Sequence, residues 1–341
     1  LFNNRVVAIC GPNGAGKTNL LDAIYYLCFT KSYFIRSDAA VVKDGMAGFR
    51  LEGNFIKEGN AVSVVCLLRE NGKKEVVWNN ELYDKFSAHI GRLPCVFIAP
   101  DDVRLITDGS EERRKFLDTI LSQTEADYLQ LLILYNKVLS QRNSYLKSVS
   151  YSNADTSLLD VYDHKLAEYG VPIFLKRKSF LEGFYPLVKK YYHQIAESGD
   201  NIEILYKTAV KETGYLNELK KARSTDLLQQ RTGFGIHKDD IEFLLGEKQF
   251  KYLASQGQRK TLLFALKLAE FQCIKTQKGF TPVMLLDDVF EKLDEQRMKN
   301  LLKIVCEESE GQVFITDTHA NRVADHLLPL GISPELIYIE K

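Results

Sequence analysis

Residues 10–19 read Cys-Gly-Pro-Asn-Gly-Ala-Gly-Lys-Thr-Asn. An apolar run, Val6–Cys10, precedes this stretch, and a helical pattern over residues 20–29 follows it. A strand, a glycine-rich loop ending in Lys-Thr and a helix, in that order, are typical of a phosphate-binding loop. Glycines let backbone N–H groups close around phosphate oxygens, and the positive end of the helix favours the same anion. The pattern therefore predicts a nucleotide site rather than an ordinary glycine turn.

The roles of individual loop residues follow from their chemistry. We expect Lys17 to reach the β and γ phosphates and the Thr18 hydroxyl to coordinate Mg²⁺. The residues predicted to bind the nucleotide are Gly11, Pro12, Asn13, Gly14, Ala15, Gly16, Lys17, Thr18 and Asn19.

A second part of the same site is predicted near the other end of the chain. Residues 283–288 read Val-Met-Leu-Leu-Asp-Asp, a Walker B pattern in which a buried strand carries two carboxylates at its end. We expect Asp287 to hold Mg²⁺ opposite Thr18, and Asp288 to orient or deprotonate an attacking water. Because ligands bind at the carboxyl edge of a parallel sheet, the two segments must meet in one sheet.

A capping box marks a third segment. Ser255, Gln256, Gly257 and Gln258 precede a long apolar helical pattern, and Ser255 with Gln258 three residues later has the spacing of a capping box. An ordinary helix start would use the same residues. A capped helix N-terminus that contains a glycine is also suited to bind an anion.

Composition limits the class of protein. The 341 residues are 45% hydrophobic and 26% charged, which is typical of a soluble globular protein of about two domains. Basic and acidic residues balance at 45 each, so binding to nucleic acid would need a local basic surface. The six scattered cysteines form no zinc or disulfide pattern, which fits a cytoplasmic protein. No apolar run is long enough to span a membrane and no signal peptide is visible.

The order of patterns predicts an α/β fold with an inserted helical lobe. A β meander is expected over 49–56, 62–69 and 73–79, and helices dominate from 116 to 192, including separate helices at 158–170 and 171–192, with a polar break at 148–157. Ser110 is the expected N-cap of the helix that begins there. We therefore predict a split head, residues 1–115 and 231–341, with a mixed, mostly parallel sheet, and an inserted lobe, residues 116–230.

Basic runs occur in the helical part, at 113–115, 176–178, 189–190 and 220–221. Each run alone is more typical of a solvated helix face than of a DNA-binding surface. Tyrosines lie between these runs, at Tyr135, Tyr145, Tyr185, Tyr191 and Tyr192. We expect them in the core or at its rim rather than stacked on bases.

These motifs together resemble the head of ATP-binding-cassette ATPases. The resemblance adds Leu293-Asp294, the D-loop pair, and a strand that ends in Thr316-Asp317-Thr318-His319, where Thr316, Thr318 and His319 take switch positions. Within that group the chain closely resembles the RecF family of bacterial recombination-mediator ATPases. The stretches that carry this match are 18–25, 108–118, 232–240 and 254–261.

The resemblance implies a function. Members of that family are ATPases that dimerise on ATP, bind double-stranded and gapped DNA, and work with RecR and RecO to load RecA in gap repair and the SOS response. It implies ATP and Mg²⁺ as cofactors, Asp287 and Asp288 as catalytic residues, and Ser255 contacting the γ-phosphate of the partner subunit. Asp288 is one methylene shorter than the usual glutamate, so slow hydrolysis is expected. The chain departs from the family pattern at Ile236 and Lys238, where the family usually has Pro and Arg. The family also has a strand before the position of Leu1, and the switch position of His319 varies among its members.

Three other classes fit the sequence less well. A transporter subunit predicts Leu-Ser-Gly-Gly-Gln and Asp-Glu, whereas the chain has Ala-Ser-Gln-Gly-Gln and Asp-Asp. A chromosome-structuring protein predicts sustained heptads, which the helical stretch lacks. An ATP-binding adaptor without useful turnover stays open, because only a measured hydrolysis rate separates it from an ATPase.

Overall fold

The computed structural model describes residues 2–149, 156–290, 293–307 and 310–340, and the chain divides into two compact units. Unit 1 comprises Leu1–Val103, Val188–Gly199 and Ala254–Lys341; unit 2 comprises Arg104–Leu187 and Asp200–Leu253. These boundaries differ from the predicted 116–230, because the second unit takes residues on both sides of that range.

Unit 1 is built on a five-stranded parallel sheet with the order β12-β1-β11-β10-β6. The strands are β1 Val6–Cys10, β6 Cys95–Ile98, β10 Val283–Leu286, β11 Val313–Asp317 and β12 Glu335–Tyr338. In the register, Cys10 lies opposite Asp317 and Leu286 lies opposite Ile315. The segments after β1, β10 and β11 therefore leave the sheet side by side, as the sequence predicted.

The predicted β meander forms a second, antiparallel sheet in unit 1. Its strands are β2 Phe49–Lys57, β3 Asn60–Leu68, β4 Lys74–Trp78 and β5 Glu81–Leu82. Helix α1, Lys17–Phe29, contacts strands of both sheets and is buried from Ile24 to Phe29. The helix that follows the glycine loop is thus fixed in the main core, so the loop has a rigid base.

Unit 1 contains one further long helix, α9 Gln256–Lys278, and three shorter ones, α2 Asp38–Val41, α10 Glu295–Leu302 and α11 Ala320–Leu327, within the described residues. A π-helical turn, Lys303–Glu307, follows α10. Helix α9 is buried almost continuously from Thr261 to Phe271. Its apolar character therefore reflects burial on most sides rather than a single apolar face.

Unit 2 is mainly helical with a small antiparallel sheet. Its helices are α3 Arg104–Thr107, α4 Ser110–Thr124, α5 Ala126–Ser148, the larger part of α6 Thr156–Ala196, α7 Tyr215–Gln229 and α8 Phe250–Leu253. Strands β7 Ile202–Lys207, β8 Asp240–Leu245 and β9 Lys248–Gln249 pair in that order. The pairing of β7 with β8, and the contact of α4 with β8, assign residues 104–115 and 231–253 to this unit.

Two local predictions in unit 2 were wrong. Ser110 is the first residue of α4, and Gly109 is the N-cap without a side-chain hydrogen bond. The helices expected at 158–170 and 171–192 are one helix, α6. Gly170 does not end a helix: a Cβ there would lie 2.6 Å from the hydroxyl of Tyr215, so the glycine admits that ring. The predicted break at 148–157 falls largely outside the described residues.

The buried face of α5 combines apolar and polar side chains. Its buried residues are Tyr128, Tyr135, Val138, Arg142 and Leu146, whereas Ile133 is 45% exposed. Two tyrosines and an arginine take core positions because each finds hydrogen-bond partners there. A pattern based on apolar residues alone does not identify such a face.

Candidate nucleotide site

The glycine-rich loop has the backbone geometry that its sequence predicts. Gly11 has φ 155° and lies so close to β12 that a Cβ would collide with the carbonyl oxygen of Ile339. Gly16 is the N-cap of α1 with φ 100°, in the left-handed region that favours glycine. These two positions explain why glycine is needed at both ends of the loop, and α1 begins directly at Lys17.

Lys17 and Thr18 occupy the first turn of α1. The ammonium Nζ of Lys17 donates to the carbonyl oxygens of Gly11, at 2.7 Å, and Pro12, at 3.0 Å. Its charge is thus held by neutral acceptors of its own loop. An approaching phosphate would offer this ammonium a charge-assisted hydrogen bond, which is stronger than one to a carbonyl.

The end of β10 is joined to the start of α1 by a hydrogen bond. The Thr18 hydroxyl lies 3.0 Å from both carboxylate oxygens of Asp287, which is 6% exposed. A hydroxyl and a carboxylate at this spacing are what Mg²⁺ takes from a protein when phosphates and water supply its other ligands. No group of three or more His, Cys, Asp or Glu side chains suited to a metal occurs among the described residues. The pair therefore fits a metal shared with a nucleotide.

Thr316 links the two aspartates. Its buried hydroxyl donates to Asp287 Oδ1 at 2.7 Å and accepts from the backbone N–H of Asp288 at 2.9 Å. Asp288 has φ 47°, an uncommon conformation for a residue with a side chain. The sequence placed Thr316 among switch residues; the structure shows that it holds the backbone of one aspartate and the side chain of the other.

The segment after β11 is held by Asp317. Its buried carboxylate accepts from the backbone N–H of His319, at 2.6 Å, and from Nε and Nη2 of Arg322. The Thr318 hydroxyl lies 2.8 Å from Nδ1 of His319. The other two predicted switch residues, Thr318 and His319, therefore lie at the same edge of the sheet as the glycine loop.

A cavity of about 500 Å³ opens at this edge. Its lining includes the loop and the switch segment: Cys10, Gly11, Pro12, Asn13, Thr318, His319 and Tyr338. Burial and the nearby Asp317 raise the pKa of the Cys10 thiol, so it stays protonated at neutral pH. Sequence reasoning missed Tyr338 and Arg322, because neither belongs to a recognisable pattern.

The capping box exists as predicted. The hydroxyl oxygen of Ser255 accepts from Gln258 N–H at 3.2 Å, and the Ser255 N–H donates to Gln258 Oε1 at 2.9 Å. Ser255 and Gln256 are exposed. Because the cap uses the hydroxyl as an acceptor, its hydrogen can still be donated to an anion.

Asp294 has a local role in the structure. It is the N-cap of α10, and its carboxylate accepts from the Arg297 N–H at 3.0 Å. The hydrogen bonds of Ser255 and Asp294 run within the first turns of α9 and α10, whereas those of Thr18, Asp287 and Thr316 join α1, β10 and β11. Thr18, Asp287 and Thr316 therefore form one cluster from three elements, whereas the hydrogen bonds of Ser255 and Asp294 are local to their own helices.

Two of the basic runs of unit 2 are largely structural. Arg113 is 7% exposed and binds Asp240 through two hydrogen bonds, of 2.6 and 3.0 Å. Arg177 is 1% exposed and donates to Asp118, at 2.8 Å, and Asp239, at 3.1 Å. Neither arginine is on a solvated helix face, which was the preferred expectation, and neither is available to DNA. The tyrosines Tyr135, Tyr191 and Tyr192 are buried, as predicted.

Comparison with known proteins agrees with these observations. Residues 1–333 match the family described as RecF/RecN/SMC N-terminal domain. A DNA replication and repair protein RecF from Flavobacterium johnsoniae is 41% identical over 94% of this chain and 90% of its own length. One from Parabacteroides distasonis is 40% identical over 100% and 93%. The solved structure of the recombination mediator protein RecF-ATPrS in the RecFOR pathway superimposes with a TM-score of 0.86, at 31% identity, over 94% of this chain and 88% of that one.

Within residues 2–149, 156–290, 293–307 and 310–340, no helix is both long and apolar enough to cross a membrane. The relatives, which are named DNA replication and repair proteins, give no support to the transporter class considered above.

Proposed function

The chain belongs to the RecF family, and from that premise we propose that it is an ATP-dependent DNA-binding recombination mediator. In this proposal it acts in the cytoplasm at single-strand gaps and at junctions with duplex DNA. RecR- and RecO-type proteins are its partners in promoting RecA loading during gap repair and the SOS response. The proposal is supported by its relatives, which are named DNA replication and repair proteins, and by the likeness to RecF-ATPrS.

The contact between Thr18 and Asp287 carries the chemical part of the proposal. It joins the start of α1 to the end of β10, with Lys17 one residue away. In this account Gly11–Asn19 surround the phosphates of ATP, and Thr18 and Asp287 hold Mg²⁺, which would neutralise charge on the phosphates. Lys17 exchanges its carbonyl acceptors for phosphate oxygens.

Asp288 is proposed to orient the attacking water and accept its proton. Its backbone is fixed by Thr316, so its carboxylate starts from a defined position at the end of β10. A shorter side chain than glutamate reaches less far toward the water. Hydrolysis is therefore expected to be slow, and Asp288→Glu is expected to raise the rate.

ATP-dependent dimerisation is proposed from the exposed cap of α9. Ser255, Gln256, Gly257 and Gln258 would face the nucleotide of a second copy, with the Ser255 hydroxyl donating to its γ-phosphate. Hydrogen bonds to charged groups contribute about 1.5–3 kcal/mol each. Two symmetric sites would favour the dimer strongly while ATP is bound, and hydrolysis would release it.

DNA binding measured by fluorescence anisotropy tests the proposal. Labelled gapped and plain duplex DNA are titrated with wild type and Lys17→Met, each with and without ATP and Mg²⁺. We expect ATP to tighten binding in wild type and to have no effect in Lys17→Met. Binding that is absent, or indifferent to ATP at modest salt, would contradict the proposal and favour an ATP-binding adaptor that acts on a protein partner.

A further inference from the structure

The first turn of α9 contains a close approach that the phosphate-binding pattern does not require. Gly257 lies two residues after the Ser255 cap, and a Cβ on it would collide with Nη1 of Arg297. Its φ lies outside the left-handed region, so the backbone alone does not call for glycine here. The space above Gly257 is therefore occupied by a guanidinium group from another helix of the same chain.

Arg297 is fixed from the other side by Asp294. One oxygen of the Asp294 carboxylate accepts from the Arg297 backbone N–H at 3.0 Å, and the other lies 3.4 Å from its Nε. Helix α10 is held in place by Met298, Leu301 and Leu302, which are buried. The arginine side chain is 23% exposed, so most of it is in contact with protein.

Electrostatics makes this position notable. A helix N-terminus carries a partial positive charge, and a cation beside it is unfavourable unless an anion compensates. Asp294 supplies one carboxylate, and its side chain is 58% exposed. Three features are therefore in contact. They are Asp294, which caps α10, the guanidinium of Arg297, and the first turn of α9, which Ser255 caps.

We propose that Arg297 is a positioning residue that fixes the first turn of α9 against the first turn of α10, which Asp294 caps. In this arrangement Ser255 is held in the geometry needed to contact the nucleotide of a second copy. The inference rests on the proposed function for its consequence, ATP-dependent dimerisation, and on the contacts of unit 1 for its geometry. It also gives Gly257 a second role, which is to admit the guanidinium of Arg297.

Variants of one helix test the positioning role. Arg297→Ala removes the contact, Arg297→Lys keeps a charge near Asp294 without the planar group, and Lys299→Ala removes an exposed charge from the same helix as a control. ATP affinity and melting temperature are measured first. We expect the ATP affinity of the monomer, measured at a protein concentration too low for dimerisation, to stay within twofold of wild type in all three, because the phosphate loop is unchanged.

Dimerisation is the readout that a merely structural role would not change selectively. The dimer dissociation constant in saturating ATP and Mg²⁺ is measured by light scattering or sedimentation. We expect Arg297→Ala to raise the dimer dissociation constant at least tenfold. Arg297→Lys should give a value between those of wild type and Arg297→Ala, and Lys299→Ala should match wild type. A dimer constant for Arg297→Ala equal to that of wild type would overturn the proposal.

A double-mutant cycle separates the two roles of Gly257. If Gly257 serves mainly to admit Arg297, then the variant with both Gly257→Ala and Arg297→Ala weakens dimerisation no more than the larger single change. If Gly257 serves only the approach of a phosphate, the two losses multiply. Multiplicative losses would contradict the proposal.

Amide hydrogen exchange without nucleotide distinguishes failure of this inference from failure of the proposed function. We expect residues 255–259 to exchange several-fold faster in Arg297→Ala than in wild type, and Lys299→Ala to be unchanged. Faster exchange together with a wild type that does not dimerise on ATP would refute the proposed function while supporting the contact. Unchanged exchange would refute the positioning role itself.

Discussion

Cations have different partners in two regions of the molecule, which are the carboxyl edge of the parallel sheet in unit 1 and the buried arginines of unit 2. In unit 2, Arg177 is buried against two carboxylates, Asp118 and Asp239, so its charge is neutralised inside the protein. In unit 1, Lys17 is half-buried and donates to two neutral carbonyls. The comparison indicates that the buried carboxylates depend on Arg177 as their partner, whereas a cation held only by carbonyls can still bind an anion.

The largest expected effect is on the stability of unit 2. Arg177→Met removes the cation and leaves Asp118 and the buried Asp239 without it, which should lower the free energy of unfolding by about 3–5 kcal/mol. Urea denaturation measures the change. The control is Lys178→Met, the exposed next residue of the same basic run, which should cost less than about 0.5 kcal/mol. Similar small effects for both variants would contradict the structural role of Arg177.

Lys17→Met should weaken nucleotide binding and leave the stability of the protein nearly unchanged. We expect ATP affinity to fall at least 30-fold, about 2 kcal/mol, because a charge-assisted contact is lost. The free energy of unfolding without nucleotide should change by less than about 0.5 kcal/mol. Binding of a fluorescent ATP analogue and urea denaturation measure the two quantities, with the exposed Lys43→Met as a charge-matched control. A large loss of stability in Lys17→Met would remove the distinction between the two regions.

A smaller effect is expected at Thr316. Thr316→Val keeps the shape of the side chain but removes the hydroxyl that joins Asp287 to the backbone of Asp288. The hydrolysis rate should fall about tenfold, or about 1.4 kcal/mol in the barrier. ATP affinity should change less than threefold, and Thr316→Ser should recover most of the rate. Steady-state hydrolysis and nucleotide titration separate these parameters. A wild-type rate in Thr316→Val would show that Asp288 needs no such support.

The last predicted effect is a pH dependence, and it concerns the buried Glu270 of unit 1. Burial raises the pKa of Glu270 to about 7, although Lys267 lies 3.6 Å away and Asp102 faces the same lysine. The folded state therefore holds a proton that the unfolded state releases near the ordinary pKa of about 4.3. Its contribution to stability falls as pH rises from that value to about 7 and is constant above it.

Comparison with Glu270→Gln isolates this contribution from other titrating groups. The amide resembles the protonated acid, so the stability of the variant relative to wild type should rise by about 2–3 kcal/mol between pH 5 and pH 8. Urea denaturation across that range measures the difference. A constant difference between the two proteins would show that Glu270 is ionised throughout, and that Lys267 pairs it as fully as Asp239 pairs Arg177.

Much of unit 1 could be predicted from the sequence, because its signals are local. The strand Val6–Cys10, the glycine loop and the strand Val283–Leu286 are confirmed, and the meeting of Thr18 with Asp287 followed from the rule for parallel sheets. Side chains that act through distant partners could not be predicted. Arg297 is an example, since Gly257 becomes its neighbour only in the folded chain.

Unit 2 was harder to predict for a physical reason. Its core contains arginines, aspartates and tyrosines that are stable there only in pairs, such as Arg142 with Asp163 and Asp226. Hydrophobic periodicity treats such residues as surface, so Arg113 and Arg177 were expected on solvated helix faces. Unit 2 extends beyond the predicted lobe because the pairing of β7 with β8 joins segments on both sides of residue 230.

The most direct test of the account is complementation between two inactive variants. Lys17→Met lacks a working phosphate loop. Ser255→Asp keeps an acceptor for the Gln258 N–H, so the cap survives, but its charge repels a phosphate. If each site combines the loop of one copy with the Ser255 turn of another, mixing the two proteins restores ATP hydrolysis toward about a quarter of the wild-type rate, since half of the dimers contain one intact site. If mixing restores none while wild type hydrolyses ATP, the site is complete within one chain and the account is contradicted.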